Sequence, residues 1–552
     1  MAKLILGPLL RYVGSNDATI WVETDAPCEV EVLGHCSRTF QVEDHHYALV
    51  HVTDLTPGTS HEYGVMLDGD PVWPDPNSVF PPSVIRTHDP HKPFKLVFGS
   101  CRVGLPHEPP YTLPKEKHKC GRGIDALYAL ALWMRFKSID DWPHALLFLG
   151  DQVYADDVSP GTLEFIRSRR STKEPPGEEI ADFEEYTRLY WETWCSPAIR
   201  WLLSTVPSAM IFDDHDVCDD WNISESWVEE MRAKPWWDER IISGFMSYWL
   251  YQHLGNLSPR ELEEDEIYRQ VRQAEDAGPI LRKFAFQVDR NPEIYRWSFY
   301  RDFGKIRLIV MDSRAARVLK SKHRAMIDEE EWDWIGQHAR GDFDHLLLGT
   351  SLPVLVGPGI HYIEAWNEAI CDGVWGTLAA KAGEKIRRFL DLEHWSAFQK
   401  SFTQVIELLH SIGRGERGRP PATIVILSGD VHHAYLAEAS FPHNNTEVRS
   451  TIYQSVCSPF RNCLGTIERK AMRACWSKTG RFISKALAGM AGIKDPDIQW
   501  NLVHDKPWFD NQVSTLEIEG HKAILKIEKT APDNDNEKLR LEKVFEHLLS
   551  KG

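Results

Sequence analysis

Apolar and polar residues alternate in short runs through the first part of the chain. The runs ATIWVETD, CEVEVLG, YALVHVTDL and HEYGVML are separated by Gly, Pro, Asn and Asp. Alternation with a period of two, bounded by turn residues, predicts β-strands. Residues 1–88 are therefore expected to form an all-β domain. It serves either as a lid or docking module beside a site, or only to cover apolar surface.

Beyond a linker at Thr87–Phe94, apolar runs alternate with helical periodicity. KLVFGSCR reads as a short strand, GIDALYALALWMRFK has apolar residues at helical spacing, and ALLFLGD is a second buried strand. A strand–helix–strand unit predicts a partly parallel sheet. We expect an α/β (α+β) domain over residues 94–552, with helical insertions near 158–196, 222–300 and 365–415.

The later strands and the tail follow from the same patterns. IYRWSFYRDF and GKIRLIVMDSR predict a pair of strands, and HLLLGTSLPVLV and ATIVILSGD predict two more buried ones. STLEIEG and KAILKIEKT predict a hairpin around Gly520. The charged run NEKLRLEKVFEHLLS predicts a terminal helix.

Five of the apolar strands end at side chains that can bind metal or phosphate. In open α/β sheets, ligands bind at the carboxyl ends of the strands. Asp and Gly are common in ordinary turns, so each strand end taken singly favours a turn. Five in one chain favour a di- or trinuclear metal centre, with Asp151 as the natural bridge because a carboxylate has two oxygens. The strand-end groups are Cys101, Asp151 with Tyr154, Asp213–Asp216, Asp312–Arg314, and Asp430 with His432.

Composition narrows the class of protein. A chain of 552 residues exceeds what one hydrophobic core usually serves, so a large domain and at least one smaller one are expected. A net charge of −18 argues against a nucleic-acid-binding surface. No apolar run is long enough to span a bilayer, and the N-terminus lacks the pattern of a signal peptide. Ten cysteines without paired spacings indicate reduced thiols, so a cytoplasmic location is expected.

Four motifs occur in the order FGSCR, GDQVYADD, FDDHDVCDDW and LSGDVHHA, and MDSR lies between the third and the fourth. In this set and order the chain resembles the calcineurin-like metallophosphoesterase superfamily, and in particular its alkaline phosphatase D (PhoD) branch. The resemblance covers most of residues 95–440. It implies a metallophosphoesterase β-sandwich flanked by helices, and an N-terminal domain similar to a fibronectin type III sandwich agrees with it.

The resemblance implies hydrolysis of a small phosphate ester, a phosphodiester or a phosphomonoester, by attack of a metal-bound hydroxide. The alternative is a non-catalytic scaffold in which metal only holds the fold and the N-terminal sandwich mediates binding. The scaffold alternative is disfavoured because the chain has the full set of predicted metal ligands and retains His215.

By resemblance, one metal is Fe(III), held by Cys101, Asp151, Tyr154 and His432. Phenolate and carboxylate suit a hard trivalent cation. Asp151 would bridge to one or more Ca²⁺ ions, which take flexible sets of oxygen ligands. Zinc and manganese are alternatives to these metals.

The remaining oxygen ligands would come from Asp430 and from the stretch Asp213–Asp220. Within that stretch Asp214 is one candidate and Asp219 is the other. Members of the family often have Asn near Asp219 and Asp220, where this chain has Asp at both positions. This departure leaves the number of calcium ions open.

Two residues are candidates for catalysis. His215 would act as a general acid or contact the phosphate, or else orient a metal ligand. Arg314 would clamp the phosphate with two hydrogen bonds. Arg102 serves the same purpose or forms a structural ion pair.

Three further groups are expected to be structural. His433 points away from His432, because adjacent strand residues face opposite ways. Cys218, Cys120 and the other cysteines are expected to be packing thiols. The roles of Asp156 and Asp157 stay open, and a turn cap is favoured for each.

Overall fold

The structure is a computed structural model that describes residues 2–90, 92–442, 447–531 and 540–551. Its first part is all-β, as predicted, and consists mainly of two four-stranded sheets, ordered β1-β2-β6-β5 and β4-β3-β8-β9. A separate apolar cluster that includes Ile20, Val50 and Val65 fills this part. The likeness to fibronectin type III stays a prediction. The strands are β1 (Leu4–Val13), β2 (Ala18–Thr24), β3 (Glu29–Val32), β4 (His35–Arg38), β5 (Phe40–Val42), β6 (His45–Val52), β7 (Ser60–Glu62), β8 (Val65–Leu67), β9 (Asp70–Trp73) and β10 (Val84–Arg86).

The rest of the chain is mixed α/β. Its strands are β11 (Phe94–Gly99), β12 (Ala145–Leu149), β13 (Ser208–Ile211), β14 (Phe299–Phe303), β15 (Ile306–Met311), β16 (His345–Thr350), β17 (Thr423–Ser428), β18 (Tyr435–Ser440), β19 (Thr451–Val456), β20 (Gln499–Leu502), β21 (Gln512–Glu519), β22 (Lys522–Ala531) and β23 (Arg540–Ser550). The described residues form a six-stranded sheet, β13-β12-β11-β21-β22-β23, and a seven-stranded sheet, β14-β15-β16-β17-β19-β18-β20.

The helices cover the outer faces of this pair of sheets and include the three segments expected to be helical. They are α1 (Ala126–Met134), α2 (Pro160–Arg169), α3 (Phe183–Trp194), α4 (Pro197–Thr205), α5 (Glu225–Arg232), α6 (Trp237–Ser247), α7 (Pro259–Glu264), α8 (Glu266–Gln273), α9 (Gly278–Arg290), α10 (Glu329–His338), α11 (Pro358–Cys371), α12 (Thr377–Phe389), α13 (Gln399–Arg414), α14 (Thr466–Cys475) and α15 (Lys478–Met490). Within the described residues, none of them is long and apolar enough to cross a membrane.

The two sheets pack face to face and make a sandwich. Phe98 and Leu147 of the six-stranded sheet share one buried cluster with Leu347 and Val425 of the seven-stranded sheet. Central strands such as β12 and β17 are buried along their whole length, because side chains on both faces lie against apolar neighbours. The predicted β-sandwich flanked by helices is therefore confirmed.

The expected terminal helix is wrong for the described residues. Arg540–Ser550 is strand β23, which pairs antiparallel with β22. The helical propensity of this charged run gives way to pairing with a strand edge, where backbone groups gain ladder hydrogen bonds. Residues 536–539 of the predicted helix lie outside the described residues.

The N-terminal domain is packed into the rest of the molecule. Arg11 of β1 is buried and donates hydrogen bonds to the carbonyl oxygens of Ser208 (3.0 Å), Tyr251 (2.7 Å) and Gln252 (2.6 Å). Leu6 and Trp21 belong to the same apolar cluster as helical residues of the second part. Ser208 begins β13, so this contact supports a strand that leads to the predicted site.

Candidate metal centre

The strand ends named from the sequence converge at one place. β11, β12 and β13 are parallel neighbours in the six-stranded sheet. β15, β16 and β17 are parallel neighbours in the other sheet. Because parallel strands end at the same edge, the loops that follow them bring their polar side chains together.

Four of the predicted ligands have a left-handed backbone, which is uncommon for residues other than glycine. The φ angles are 56° at Cys101, 51° at Asp151, 64° at Asp430 and 50° at His432. Such strained residues cluster at ligand-binding sites, where surrounding structure holds them in place. Here each one turns a side chain off the end of a buried strand.

Glycine is required where two of these strand ends meet. Gly150 has φ +103°, and a Cβ added there would lie 2.5 Å from Cβ of Asp213. The missing side chain therefore lets the end of β12 approach the end of β13. Ser100 joins the two sheets in a similar way, because its Oγ accepts a hydrogen bond from the amide of Asp430 at 2.9 Å.

The first group of ligand atoms contains a thiol. Ligand atoms of Cys101, Asp151 and His432 all lie within 4.8 Å of one another. The Tyr154 hydroxyl donates to Oδ2 of Asp151 at 3.2 Å, and the side-chain amide of Asn462 donates to the same hydroxyl at 3.2 Å. A thiol, a phenol, an imidazole and a carboxylate thus face one another, as the sequence predicts.

The second set consists mainly of carboxylates, and Asp214 belongs to all of its groups. Within 4.8 Å it shares ligand-atom groups with Asp151 and Asp213, with Glu393 and Asp430, and with His215 and Asp219. Asp151 belongs to both this set and the thiol group, which is the position that a bridging carboxylate needs. Asp219 occurs in one group only, and its side chain is 72% exposed.

Unpartnered buried oxygens indicate that a cation fits between these groups. Among the residues that the structure describes, Oδ1 of Asp151 and Oδ2 of Asp213 accept no hydrogen bond. Buried acceptors are normally satisfied, so each calls for an explanation such as a bound ion. Oxygen, sulfur and imidazole donors on one side and oxygens alone on the other are ligand sets that metal ions use.

The pKa values of the candidate ligands also indicate a cation site. Burial raises the pKa of Asp151 well above its usual range, and Asp213 and Asp214 raise it further against the opposing effect of His215. Burial, together with Asp151, also raises the pKa of Cys101 and of Tyr154. Burial lowers the pKa of His432 to about 4, which keeps its imidazole neutral and able to bind a metal. A bound cation would reverse the three raised values and ionise these groups.

Comparison with known proteins agrees with this geometry. The model of the PhoD-like phosphatase family matches residues 133–337. A family described as a domain of unknown function (DUF7800) matches residues 1–85. No protein in a curated set matches the chain.

A solved structure described as "Structure of PhoD" shares the fold. It aligns with a TM-score of 0.58, covering 99% of this chain and 90% of that chain at 12% sequence identity. At this identity the likeness concerns the fold alone. The resemblance to PhoD that the motifs indicate is confirmed, and the family match includes Asp151, Tyr154, Asp214, His215, Asp219 and Arg314.

Arg314 lies beside the carboxylates, and its side chain is fully buried. Its guanidinium forms ion pairs with Asp213 and Glu393 and lies 3.0 Å from Oδ1 of Asp214 and 3.7 Å from Oδ1 of Asp430. The phosphate clamp expected of Arg314 stays a prediction. This geometry favours a different role, in which Arg314 holds the carboxylates in position.

His215 is held in place by Asp156, a residue that the sequence analysis did not assign to the metal centre. Its Nδ1 lies 2.9 Å from Oδ2 of Asp156, which also accepts the amide of Asp219 at 2.7 Å. The expectation that Asp156 caps a turn is therefore wrong, because its carboxylate orients the imidazole. Against the effect of burial, Asp156 raises the pKa of His215 well above its usual range. Nε2 then points towards Asp219, at 3.6 Å from its Oδ1.

Sequence reasoning missed three residues of the centre. Glu393 lies in a segment predicted to be a peripheral helical insertion, and Asn462 follows a strand that ended in no motif. Asp213 belongs to the acidic stretch, but Asp214 and Asp219 were the residues predicted to be ligands there. Only Asp213 had a local signal, since it comes directly after the buried strand β13.

The remaining candidates have structural roles. Arg102 forms a buried ion pair with Asp125 at 2.8 Å, and Asp125 also caps α1. His433 is buried, and its Nδ1 lies 2.6 Å from the carbonyl oxygen of Val431. Asp157 pairs with Arg122 at 3.2 Å. The carboxylate of Asp312 accepts three backbone amides and so shapes the turn after β15.

All ten cysteines are free thiols, as expected. Their burial differs from the prediction, because Cys36 is exposed and Cys120 is half-buried. Cys218, which lies inside the acidic stretch, is also half-buried. Cys101 is the buried thiol that lies among the candidate metal ligands.

Proposed function

We propose that this protein is a metal-dependent hydrolase of phosphate esters. The observation that carries the proposal is the position of Asp151, which joins the group of Cys101 and His432 to the carboxylates of Asp213 and Asp214. Asp151, Asp213 and Asp214 lie within the residues that match the PhoD-like phosphatase family. Two adjacent metal ions can stabilise both the attacking and the leaving oxygen when a phosphate ester is hydrolysed.

The donor atoms support two different cations. Cys101, Tyr154, His432 and Asp151 provide sulfur, phenolic oxygen, nitrogen and carboxylate, which fits Fe(III). Asp213, Asp214, Glu393 and Asp430 provide oxygen alone, which fits Ca²⁺. Zinc and manganese are the alternatives to these metals.

Bound ions would supply Lewis acidity towards the phosphoryl oxygens and would lower the pKa of water. The chain itself positions the reactants. Asp156 fixes the ring of His215 so that Nε2 faces the carboxylates, where it can hydrogen-bond a substrate oxygen. Arg314 keeps the negative charges of Asp213 and Asp214 close together despite their repulsion.

The substrate is proposed to be a small phosphodiester or phosphomonoester. Purified, metal-loaded protein should hydrolyse bis-p-nitrophenyl phosphate, p-nitrophenyl phosphate or both, and the ratio of the two rates gives the preferred class. An Asp213→Asn variant should lose most of the activity while keeping its far-UV circular dichroism. If metal-loaded protein turned over neither ester, the scaffold alternative would replace this proposal.

The iron assignment has its own test. Protein purified without chelator should contain iron and should show a visible absorption band from phenolate-to-iron charge transfer. Tyr154→Phe should lose this band. Tyr186→Phe is the matched control, because Tyr186 is a buried tyrosine that donates to the carbonyl oxygen of Asp216 at 3.0 Å. Zinc without iron, or a band that survives in Tyr154→Phe, would contradict the assignment.

A further inference from the structure

A layer of four helices, α11, α12, α14 and α15, covers part of the surface. We call it the helical layer. α11 contacts the other three helices. The contacts are close, because a Cβ added to Gly359 of α11 would meet Cys475 of α14, and one added to Gly383 of α12 would meet Cys371 of α11. The outer sides of α12, α14 and α15 face solvent over most of their length.

Exposed apolar side chains are concentrated on this layer. Of the fifteen large apolar side chains exposed in the described part of the chain, nine lie within residues 374–390 and 466–490. Scattered exposed apolar residues are ordinary, but a concentration of them marks an interaction surface. The nine are Val374, Trp375, Leu378, Phe389, Leu390, Ile467, Phe482, Ile483 and Met490.

The same two segments are strongly basic in an acidic protein. Together they contain ten Lys and Arg residues and two Glu residues, whereas the whole chain has a net charge of −18. Four of these ten basic residues pair with acidic groups of the protein. The pairs are Arg387 with Glu384, Arg388 with Glu230, Arg469 with Glu116, and Lys485 with Asp495. Lys381, Lys385, Lys470 and Lys478 are among the exposed basic groups of the layer.

Apolar and basic residues share faces of individual helices. On α12, Leu378, Lys381, Lys385 and Phe389 follow the spacing of one helix face, and all four are exposed. On α15, Phe482, Ala486 and Met490 recur every four residues and are exposed, whereas Ser484 and Ala488 on the opposite face are buried. Each helix therefore presents an amphipathic surface outwards.

We propose that the helical layer binds the surface of an anionic lipid bilayer. Helices with exposed Phe, Leu and Ile beside Lys insert their apolar side chains at the boundary between headgroups and acyl chains, while the ammonium groups pair with anionic headgroups. A second copy of this chain is a poorer occupant, because a symmetric contact would bring the same basic faces together. The layer is thus a basic and apolar surface on a protein with a net charge of −18.

The layer adjoins the candidate metal centre along the chain. Asn462, whose amide reaches the hydroxyl of Tyr154, lies four residues before the first residue of α14. Arg473 of α14 stacks over the ring of Phe509 at 5.0 Å, which anchors the helix to the domain. Bilayer binding rests on the surface alone and does not depend on the proposed hydrolase activity.

Sedimentation with vesicles tests the proposal on the full chain. The protein should sediment with vesicles of phosphatidylcholine and phosphatidylserine at low salt, and not with phosphatidylcholine alone. The double variants Phe389→Ser with Phe482→Ser and Lys381→Glu with Lys478→Glu should each bind at least about tenfold more weakly. These side chains are exposed, so the variants should keep the circular dichroism of the wild type.

Matched controls change the same residue types elsewhere on the surface. Phe136→Ser, at a side chain 70% exposed, and Lys283→Glu should bind vesicles as the wild type does. Absence of binding to the anionic vesicles, or equal binding by the variants and the wild type, would overturn the proposal. Concentration-dependent self-association that is lost in Phe389→Ser with Phe482→Ser, without vesicle binding, would also overturn it in favour of a second copy.

Discussion

At the scale of single residues, the centre depends on how a few side chains are held at the ends of strands. Cys101, Asp151, Asp430 and His432 leave their strands through a left-handed backbone. Their conformational strain is tolerated because hydrogen bonds and ion pairs around them fix each position, as when the amide of Asp430 donates to Oγ of Ser100. Among the described residues, one buried carboxylate oxygen of Asp151 and one of Asp213 lack a hydrogen-bond partner, and both are available to bind a cation.

Asp156 should matter for turnover although it is not a predicted ligand. Asp156→Asn removes the negative charge beside Nδ1 of His215 and nearly preserves shape. We expect kcat to fall about 10- to 100-fold, as is typical when the partner of a functional side chain is lost. Steady-state kinetics on a p-nitrophenyl ester measures the effect.

The neighbouring carboxylate provides the control for this change. Asp157 is 59% exposed and pairs with Arg122, so Asp157→Asn should leave kcat within about twofold. Equal losses in both variants would show that acidity of the loop, and not the orientation of His215, matters. Unchanged turnover in Asp156→Asn would remove Asp156 from the account.

The residues that the sequence revealed are those with a local signal. Cys101, Asp151, Tyr154 and His432 follow within a few residues of the ends of buried strands, and hydrophobic periodicity locates such strands well. Glu393 and Asn462 could not be found this way, because tertiary folding brings them to the centre from segments that end no recognisable motif. Asp156 was misjudged because an Asp in a loop has many uses, and its partner His215 is 59 residues away.

At the scale of elements, the N-terminal sheet and helix α3 are joined through one histidine. His45 of β6 lies 2.8 Å from Glu23 of β2 by Nδ1 and 2.8 Å from Glu184 of α3 by Nε2. Against burial, these two carboxylates raise the pKa of His45 to about 10. The imidazolium thus links two parts of the molecule.

This link predicts how stability depends on pH. The pKa of His45 is raised on folding, so its contribution is fully present below about pH 6.5 and is lost as pH rises to about 10. We expect about 2 kcal/mol of unfolding free energy from it at pH 6, allowing for partial solvent screening. Denaturant unfolding at several pH values should show a decline that His45→Gln lacks.

His51→Gln is the matched control for that experiment. His51 pairs with Asp17 at 3.0 Å on the same domain, but its side chain is 39% exposed. The free energy of unfolding of His51→Gln should therefore depend on pH as that of the wild type does. A decline of the same size in His45→Gln would mean that other groups titrate between pH 6.5 and 10.

The strand β23 shows what element prediction lacked. Its residues, rich in Leu, Glu and Lys, have the composition of a helix. The open edge of β22 supplied hydrogen-bond partners that no local pattern reveals. The strands of the sandwich core were predictable because they are buried on both faces and rich in apolar residues.

At the scale of the whole molecule, the N-terminal domain supports the domain that bears the centre. Arg11 reaches from β1 to the carbonyl oxygen of Ser208, at the start of the strand that ends beside Asp213. Burial lowers the pKa of Arg11 to about 9, and its guanidinium is held by three carbonyl oxygens. A spacer that only covered apolar surface would not need such a contact.

Loss of Arg11 should therefore destabilise the chain. Arg11→Gln removes most of these charge-assisted hydrogen bonds and leaves buried carbonyl oxygens unpaired, which we expect to cost about 3 kcal/mol. Denaturant unfolding measures this loss. Arg38→Gln, at an exposed side chain of the same domain, should change the free energy of unfolding by less than about 0.5 kcal/mol. Similar values for the two variants would contradict an anchoring role for Arg11.

The central claim is that ions held between Asp151 and its neighbours drive ester hydrolysis, and removal and return of metal tests it most directly. Chelator-treated protein should lose about 100-fold or more of its activity on bis-p-nitrophenyl phosphate and recover it when iron and calcium are returned. Asp151→Asn, folded by circular dichroism, should not recover. Full activity in chelator-treated protein shown to be free of metal, or full recovery in Asp151→Asn, would contradict the account.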